Sequence, residues 1–314
     1  MRIPQKRFGF AGRRQRSRFK YGKIFLLSAA LAAAGLGGYW LLVNGLARIP
    51  ASGAAVRKTV LALWEAGDYQ EIIRITEGEL SREPMDAYNL IFNGFAHFYT
   101  GANQTTTEER LEHIDAAIKS LRRARLHSRT PLAGELDYVL GKAYYQKGEF
   151  YADLSAEYME SSLARNFVGQ DSYEYLGFAY KSLGEYTRSI EFLHKAGVEN
   201  PSGPLFLALA QTYYQTGDTG ASQDALMRAI NLSQDSSVSQ RARALLGDIY
   251  LRNKDYAKSE EQFLRILEEN PQSADAYFNL GEIYSSMGDS VKARANWRRA
   301  RRIDPNHAGA LKRL

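Results

Sequence analysis

Between residues 53 and 307 a Leu-Gly-x-x-Tyr core returns at intervals of about 34 residues. Its fullest copy reads Leu280-Gly281, Tyr284, Gly288, Ala293, Trp297, Ala300 and Pro305. Upstream stand Leu246-Gly247, Tyr250, Phe263 and Pro271, then Leu209-Ala210, Tyr213, Gly217, Leu226 and Ala229. Before these come Leu176-Gly177, Tyr180, Gly184, Leu193, Ala196 and Pro201, and before those Leu140-Gly141, Tyr144 and Gly148. Two looser copies begin the series: Gly94, Gly101, Ala117, Leu121 and Ala124, preceded by Leu63, Gly67, Ile72 and Pro84. Self-similarity at a fixed period of this size is the signature of one supersecondary unit stacked many times over.

The residues also say what that unit is. Apolar positions in each copy fall at i, i+3, i+4 intervals, as Tyr277, Leu280 and Tyr284 do, which is the period of a helix face. Gly67-Asp68, Gly148-Glu149, Gly184-Glu185, Gly217-Asp218 and Gly288-Asp289 divide the copies in two. Glycine at that place permits the left-handed residue that ends a helix. Proline at the end of a copy stops the second helix. The glycine or alanine at the eighth position leaves room for the paired helix to approach. A single hairpin of this kind cannot bury its apolar face, whereas stacked neighbours can.

The pattern resembles the tetratricopeptide repeat in seven copies, at 53–86, 87–133, 134–169, 170–202, 203–239, 240–273 and 274–307. The resemblance implies an all-α fold, a right-handed α-solenoid of about seven helix-turn-helix repeats, followed by a basic partial helix at 308–314. Departures from the pattern predict local features. Lys254 stands where the other turns have glycine, so that turn carries strain. The second copy is about thirteen residues too long, and the excess is expected in its turn, from Ala102 to about His113. A further excess of three residues is expected in a loop at Ser233 to Val238, and one of two residues at 152–155.

In this family the first helices line the concave face, chiefly through positions 2, 5, 9 and 12 of each repeat. Carried onto this chain, that face becomes a protein-binding groove of Tyr88, Phe95 and Phe98, then Tyr138, Lys142 and Tyr145, then Glu174, Phe178 and Lys181. Gln211 and Tyr214 continue it, followed by Asp248 and finally Phe278 and Glu282. The tyrosines of the repeat core (Tyr144, Tyr180, Tyr213, Tyr250, Tyr284) are expected to pack between helices. The lysine and asparagine set with which some relatives clamp a peptide carboxylate is missing: phenylalanine, tyrosine or leucine stands there, Asn279 excepted.

Ahead of the repeats lies a different kind of sequence. Ile24 to Val43 are twenty consecutive residues without a charge, which as a helix would span about 30 Å, the thickness of a bilayer's hydrocarbon core. Tyr39 and Trp40 sit toward its far end, as amphipathic rings at an interface do. A secretory signal would have a shorter apolar region of about 7–15 residues. Residues 1–23 hold nine cations and no acid, so the positive-inside rule keeps this basic tail in the cytoplasm and sends the chain after the span, a 44–52 linker and the repeats, to the other side. Ala30, Ala34 and Gly38 recur every fourth residue, a stripe through which two anchors could pair as a homodimer.

The net charge of +6 belongs to that tail: 41 basic residues less those nine leaves 32 against 35 acids. A folded part that is slightly acidic argues against nucleic acid as a partner. The chain has no cysteine, which excludes disulfides and thiolate chemistry. His97, His113, His127, His194 and His307 show no metal-ligand spacing, and His97 takes the tyrosine slot of its repeat. With no catalytic constellation, cofactor site, metal site or small-molecule substrate site, the sequence predicts a non-enzymatic adaptor. It would sit in the inner (cytoplasmic) membrane with its repeats in the periplasm, binding other proteins of the cell envelope. Chaperone-like holding of clients beside a translocon and regulation of an envelope enzyme are the alternatives.

Overall fold

The computed structural model describes residues 53–314. The expected basic tail 1–23, membrane span 24–43 and linker 44–52 lie outside the described residues. No described helix is long and apolar enough to cross a membrane.

The described residues are helical throughout and fall into two units, one ending at Gln170 and one running from Asp171 to Leu314. The first holds α1 (Ala54–Ala66), α2 (Tyr69–Arg82), α3 (Ala87–Ala102), α4 (Thr107–Ala124), α5 (Ala133–Lys147) and α6 (Ala152–Ala164). The second holds α7 (Ser172–Ser182), α8 (Tyr186–Glu199), α9 (Gly203–Thr216), α10 (Thr219–Leu232), α11 (Ser236–Arg252), α12 (Tyr256–Glu269), α13 (Ala274–Ser286) and α14 (Ser290–Ile303), then the short α15 (Ala308–Arg313). Within each unit the helices pair as antiparallel hairpins that pack in chain order. Their cores run on from hairpin to hairpin: Leu193, Leu205, Leu209, Leu226, Leu246 and Ile249, drawn from α8 to α11, belong to one buried cluster.

The Gly-Asp dipeptide does two jobs at each turn. At Gly217-Asp218 the glycine takes φ 83°, and the Asp218 N–H reaches back to the Tyr213 carbonyl at 3.0 Å, closing α9. The Asp218 carboxylate then accepts from the Ala221 N–H at 2.9 Å, opening α10. Gly288-Asp289 repeats both contacts, to Tyr284 and Lys292. At Asn253-Lys254-Asp255 the same geometry is forced on a lysine, whose φ is 61°. A side chain there costs about 1–2 kcal/mol of steric strain.

Close approach inside each hairpin is set by the eighth position. A Cβ on Gly281 would lie 2.4 Å from Trp297, and one on Gly141 would lie 2.7 Å from Met159. The second helix answers with a buried serine one turn in from its start. Ser155, Ser189, Ser222 and Ser259 donate to the carbonyls of Gly141, Gly177, Ala210 and Gly247 at 2.8–2.9 Å. In the first unit Asn93 of α3 plays a wider role, donating to Thr76 on α2 at 3.0 Å and accepting from Ser120 on α4 at 2.7 Å.

The extra residues fold differently from the sequence expectation. Ala102 to His113 is not one long turn: α4 starts at Thr107, because Thr106 caps Glu109 through both its N–H and its carboxylate. The second copy's excess goes into an 18-residue α4 and the connection after it, where Thr130 caps the Ala124 and His127 carbonyls. Ser233 to Val238 is likewise shorter than a loop of that span. Asp235 caps α11 from Ser236, and Val238 is already in the core. The surplus expected at 152–155 becomes a 3₁₀ turn at Glu149–Tyr151, and Ala152 opens α6.

Gly281→Ala should lower stability by about 1–3 kcal/mol through overpacking against Trp297. Lys254→Gly should raise it by about 1 kcal/mol by releasing the left-handed strain. Thermal unfolding of the two variants beside the parent chain checks both.

Candidate functional site

In the second unit, α7, α9, α11 and α13 are the first helices of successive hairpins; predicted groove residues of α7 and α9 meet directly, and those of α9 and α11 are joined through Arg252, which was not among them. The Lys181 ammonium donates to the Gln211 side-chain carbonyl, joining α7 to α9. The Arg252 guanidinium lies 5.7 Å from the centre of the Tyr214 ring, joining α11 to α9. Asp248, one turn before Arg252, has its carboxyl pushed up by burial, against the pull of that guanidinium. Phe178 and Tyr214 rest half-buried on the core cluster, so each ring has a packed edge and an open one. Glu174 is half-buried on the same helix as Phe178 and Lys181. The result is a row of half-open aromatic and charged side chains, each steadied by a neighbour.

The last two predicted groove residues are covered by the chain itself. Arg313 of α15 grips Glu282 with Nε at 2.9 Å and Nη2 at 2.5 Å. His307 lies 5.0 Å from the Phe278 ring, and Nε2 meets Asp275 at 3.1 Å. Small residues allow this docking: a Cβ on Gly309 would strike Phe278, and Ala310 is fully buried.

In the first unit the expectation for α3 is corrected. Tyr88, Phe95 and Phe98 are 1%, 6% and 2% exposed and offer no surface. The reason is that α3 is enclosed by its neighbours: Leu90, Ile91, Phe92 and Ala96 are buried with them, and the polar Asn93 is bonded to Thr76 on α2 and Ser120 on α4. The Tyr88 hydroxyl donates to the Arg57 carbonyl on α1 at 3.0 Å. Phe95 and Phe92 both pack on Trp64 of α1, at 5.9 and 5.8 Å between ring centres. Tyr138, Lys142 and Tyr145 on α5 are half-buried. Lys142 bonds the Tyr138 hydroxyl at 3.3 Å and lies over that ring and the Phe98 ring.

The core tyrosines behave as expected, with an addition. Tyr144 and Tyr180 are buried, and a cation eight residues downstream lies over the ring in three hairpins. Arg188 is 3.9 Å from the Tyr180 ring centre, Lys258 5.5 Å from Tyr250, and Lys292 5.0 Å from Tyr284. That spacing was visible in the sequence. Asp137 was not: it is fully buried, held by Arg125 at 2.5 Å, Arg165 at 3.0 Å and the Ser161 hydroxyl at 2.7 Å. These partners come from α4's end and from α6, so nothing local announces the cluster. His97 and His113 also meet, Nδ1 to Nδ1 at 2.9 Å. Burial, then the nearby His113, pushes His97 down to about 4. Among the described residues no group of three or more histidine, aspartate or glutamate side chains is placed to hold a metal ion.

Asp137→Ala should destabilise the chain by about 3 kcal/mol, the low end for a broken buried ion pair, since both guanidiniums keep access to water. Between pH 6.5 and about 4 the unfolded chain takes up a proton at His97 that the folded chain refuses, so stability falls as pH drops through that window. Denaturant unfolding across that range, with His97→Gln as a flatter control, measures the effect.

Comparisons with known proteins bear on these features. Residues 106–158 and 207–274 match one tetratricopeptide repeat family model, and residues 263–295 match another. Superkiller protein 3 of Schizosaccharomyces pombe is 24% identical over 182 residues, which is 54% of this chain and 13% of that protein. Tetratricopeptide repeat protein 21B of Xenopus laevis is 28% identical over 131 residues, 42% of this chain and 9% of that protein. The chain therefore spans a small part of these curated relatives. Among solved structures, the C-terminal part of a TPR repeat-containing protein from Cytophaga hutchinsonii aligns with a TM-score of 0.61 at 16% identity. That alignment covers 82% of this chain and 99% of the other, and at such identity it speaks for the fold alone. Repeat spacing and hairpin geometry agree with these matches, in which tetratricopeptide repeat models cover residues 106–158 and 207–295.

Proposed function

We propose that the chain is a non-enzymatic, membrane-anchored scaffold of the bacterial envelope that holds a protein partner on the half-open row of its second unit. Tetratricopeptide-repeat proteins are in general protein-interaction scaffolds. The observation that carries the reading is the set Phe178, Lys181, Gln211, Tyr214, Asp248 and Arg252, spread over three successive hairpins and linked by Lys181–Gln211 and Arg252–Tyr214. Rings fixed on one edge lose little freedom when a partner covers the other, and tyrosine and arginine supply much of the energy of protein interfaces. Lys181 and Asp248 beside them add charge selection, which suits one specific partner better than many unfolded clients.

Residues 1–43 support the location. Nine cations ahead of twenty uncharged residues support a single span with its N-terminus in the cytoplasm and the repeats outside it. The scaffold would then organise an assembly at the outer face of the inner membrane, in secretion, pilus or flagellar-motor accessory structures, or envelope biogenesis.

Crosslinked co-purification of the full-length chain from native membranes should recover a defined, stoichiometric partner. Lys181→Glu with Arg252→Glu should cut that recovery about tenfold or more while leaving the melting temperature nearly unchanged. Recovery of general chaperones alone, or recovery indifferent to the double reversal, contradicts the proposal. A reporter fused after Leu314 should be active outside the cytoplasm, and activity only inside it overturns the location.

A further inference from the structure

Charge is unevenly distributed over the described residues. Residues 53–289 hold 34 acids against 23 bases, a net of −11, whereas residues 290–314 hold one acid against eight bases, a net of +7. Most of that positive charge is on α14, which carries Lys292, Arg294, Arg298, Arg299, Arg301 and Arg302 and no acid. Lys292 has Asp289 at 3.7 Å, and Arg299 lies over the Tyr277 ring at 5.6 Å. Arg294, Arg298, Arg301 and Arg302 are exposed, and among the described residues none of them has an ion pair.

Several cations elsewhere on this surface are matched within a helical turn, as Arg82 is by Glu79 at 3.0 Å, Lys195 by Glu191 at 2.8 Å and Arg265 by Glu268 at 3.0 Å. Arg294, Arg298 and Arg301 instead repeat at i, i+4, i+7. That spacing puts them on one face about 10 Å long, where like charges repel. Guanidiniums so arranged favour planar anions, carboxylates foremost in a protein partner.

The first half of α4 carries a matching acidic stretch, with Lys119 and Arg122 beyond it on the same stripe. On α4, Glu108, Glu112 and Asp115 repeat at the same i, i+4, i+7 spacing and are exposed. Asp115 reaches Lys147 at 2.7 Å yet keeps 57% of its side chain open to water. Glu109 beside them is engaged by Thr106. We infer that the arginine face of α14 docks on the acidic face of α4 in a second copy of this chain. The two faces are unlike, so a single contact between two copies leaves one α4 face and one α14 face for a further contact. Such a contact builds open chains of copies unless the rotation closes a ring. The inference does not depend on the partner-binding row, whose residues it does not use.

Sedimentation velocity of the full-length chain in mild detergent tests it. Over a rising concentration series the parent chain should form a progression of oligomers at low salt that high salt disperses, since screening lengths fall to about 10 Å at 0.1 M. Arg294→Glu with Arg298→Glu and Arg301→Glu should weaken self-association about tenfold or more, and Glu108→Arg with Glu112→Arg should do the same. An equimolar mixture of the two variants should associate again, because each reversed face then meets its opposite. Circular dichroism confirms that both variants are folded; should the α14 variant not fold, the α4 variant alone must still lose association. A parent chain that stays monomeric, association indifferent to either reversal, or a mixture that fails to associate overturns the inference. So does loss of binding to anionic phospholipid vesicles in the α14 variant with self-association intact, which would assign the face to a membrane.

Discussion

Everything in this fold depends on two helices of a hairpin coming closer than ordinary side chains would allow. Glycine at the eighth position of the first helix lets Leu193 sit against Gly177, Phe263 against Gly247 and Trp297 against Gly281. Three of the four serine bonds also lie at eighth-position glycines: Ser155, Ser189 and Ser259 give their hydroxyls to the Gly141, Gly177 and Gly247 carbonyls. Close approach and a satisfied buried hydroxyl fix each hairpin's geometry, and only then can one hairpin present a regular surface to the next. The Gly-Asp turn contributes at the other end, closing one helix with the glycine and opening its partner with the carboxylate. Because each hairpin is completed by its neighbour, stability is spread along the stack as a sum of small interfaces.

That division of labour leaves a second set of positions open for binding. Where large residues of the second helix fill the gap, the outward positions of the first helix need not pack deeply, and Lys181, Gln211 and Tyr214 remain half-open. The two ends of the series depart from this. At α3 the row is absorbed into a core built around Trp64 and Phe92. At α13 it is capped by α15 through Glu282–Arg313 and Phe278–His307. The middle of the second unit is thus where side chains from consecutive repeats both touch one another and face outward.

Much of the fold was legible in the sequence because its determinants are local and periodic. The turn glycines, the eighth-position glycines and the stacked tyrosines each recur, and Lys254 was identifiable as a strained turn by being the exception. Lengths of irregular segments were harder. Thr106 and Asp235 start helices early by capping them, and a cap is one residue whose effect outweighs the count of residues around it. The groove was legible by position but not by exposure. Phe95 and Phe98 occupy the same repeat positions as Phe178 and Lys181, yet what covers a position is decided by the neighbouring helix. Asp137 was beyond sequence reading altogether, since its charge is balanced by arginines 12 and 28 residues away.

The central claim is that side chains on successive first helices of the second unit hold one polypeptide together. Site-specific photocrosslinking in the native host measures this directly, with the crosslinker placed in turn at 181, 214 and 252, and at the outward-facing Arg188 as a control. The account predicts the same single protein captured from all three inner positions and not from Arg188. Adducts from Arg188 alone, or three unrelated sets of proteins from the three inner positions, would contradict it.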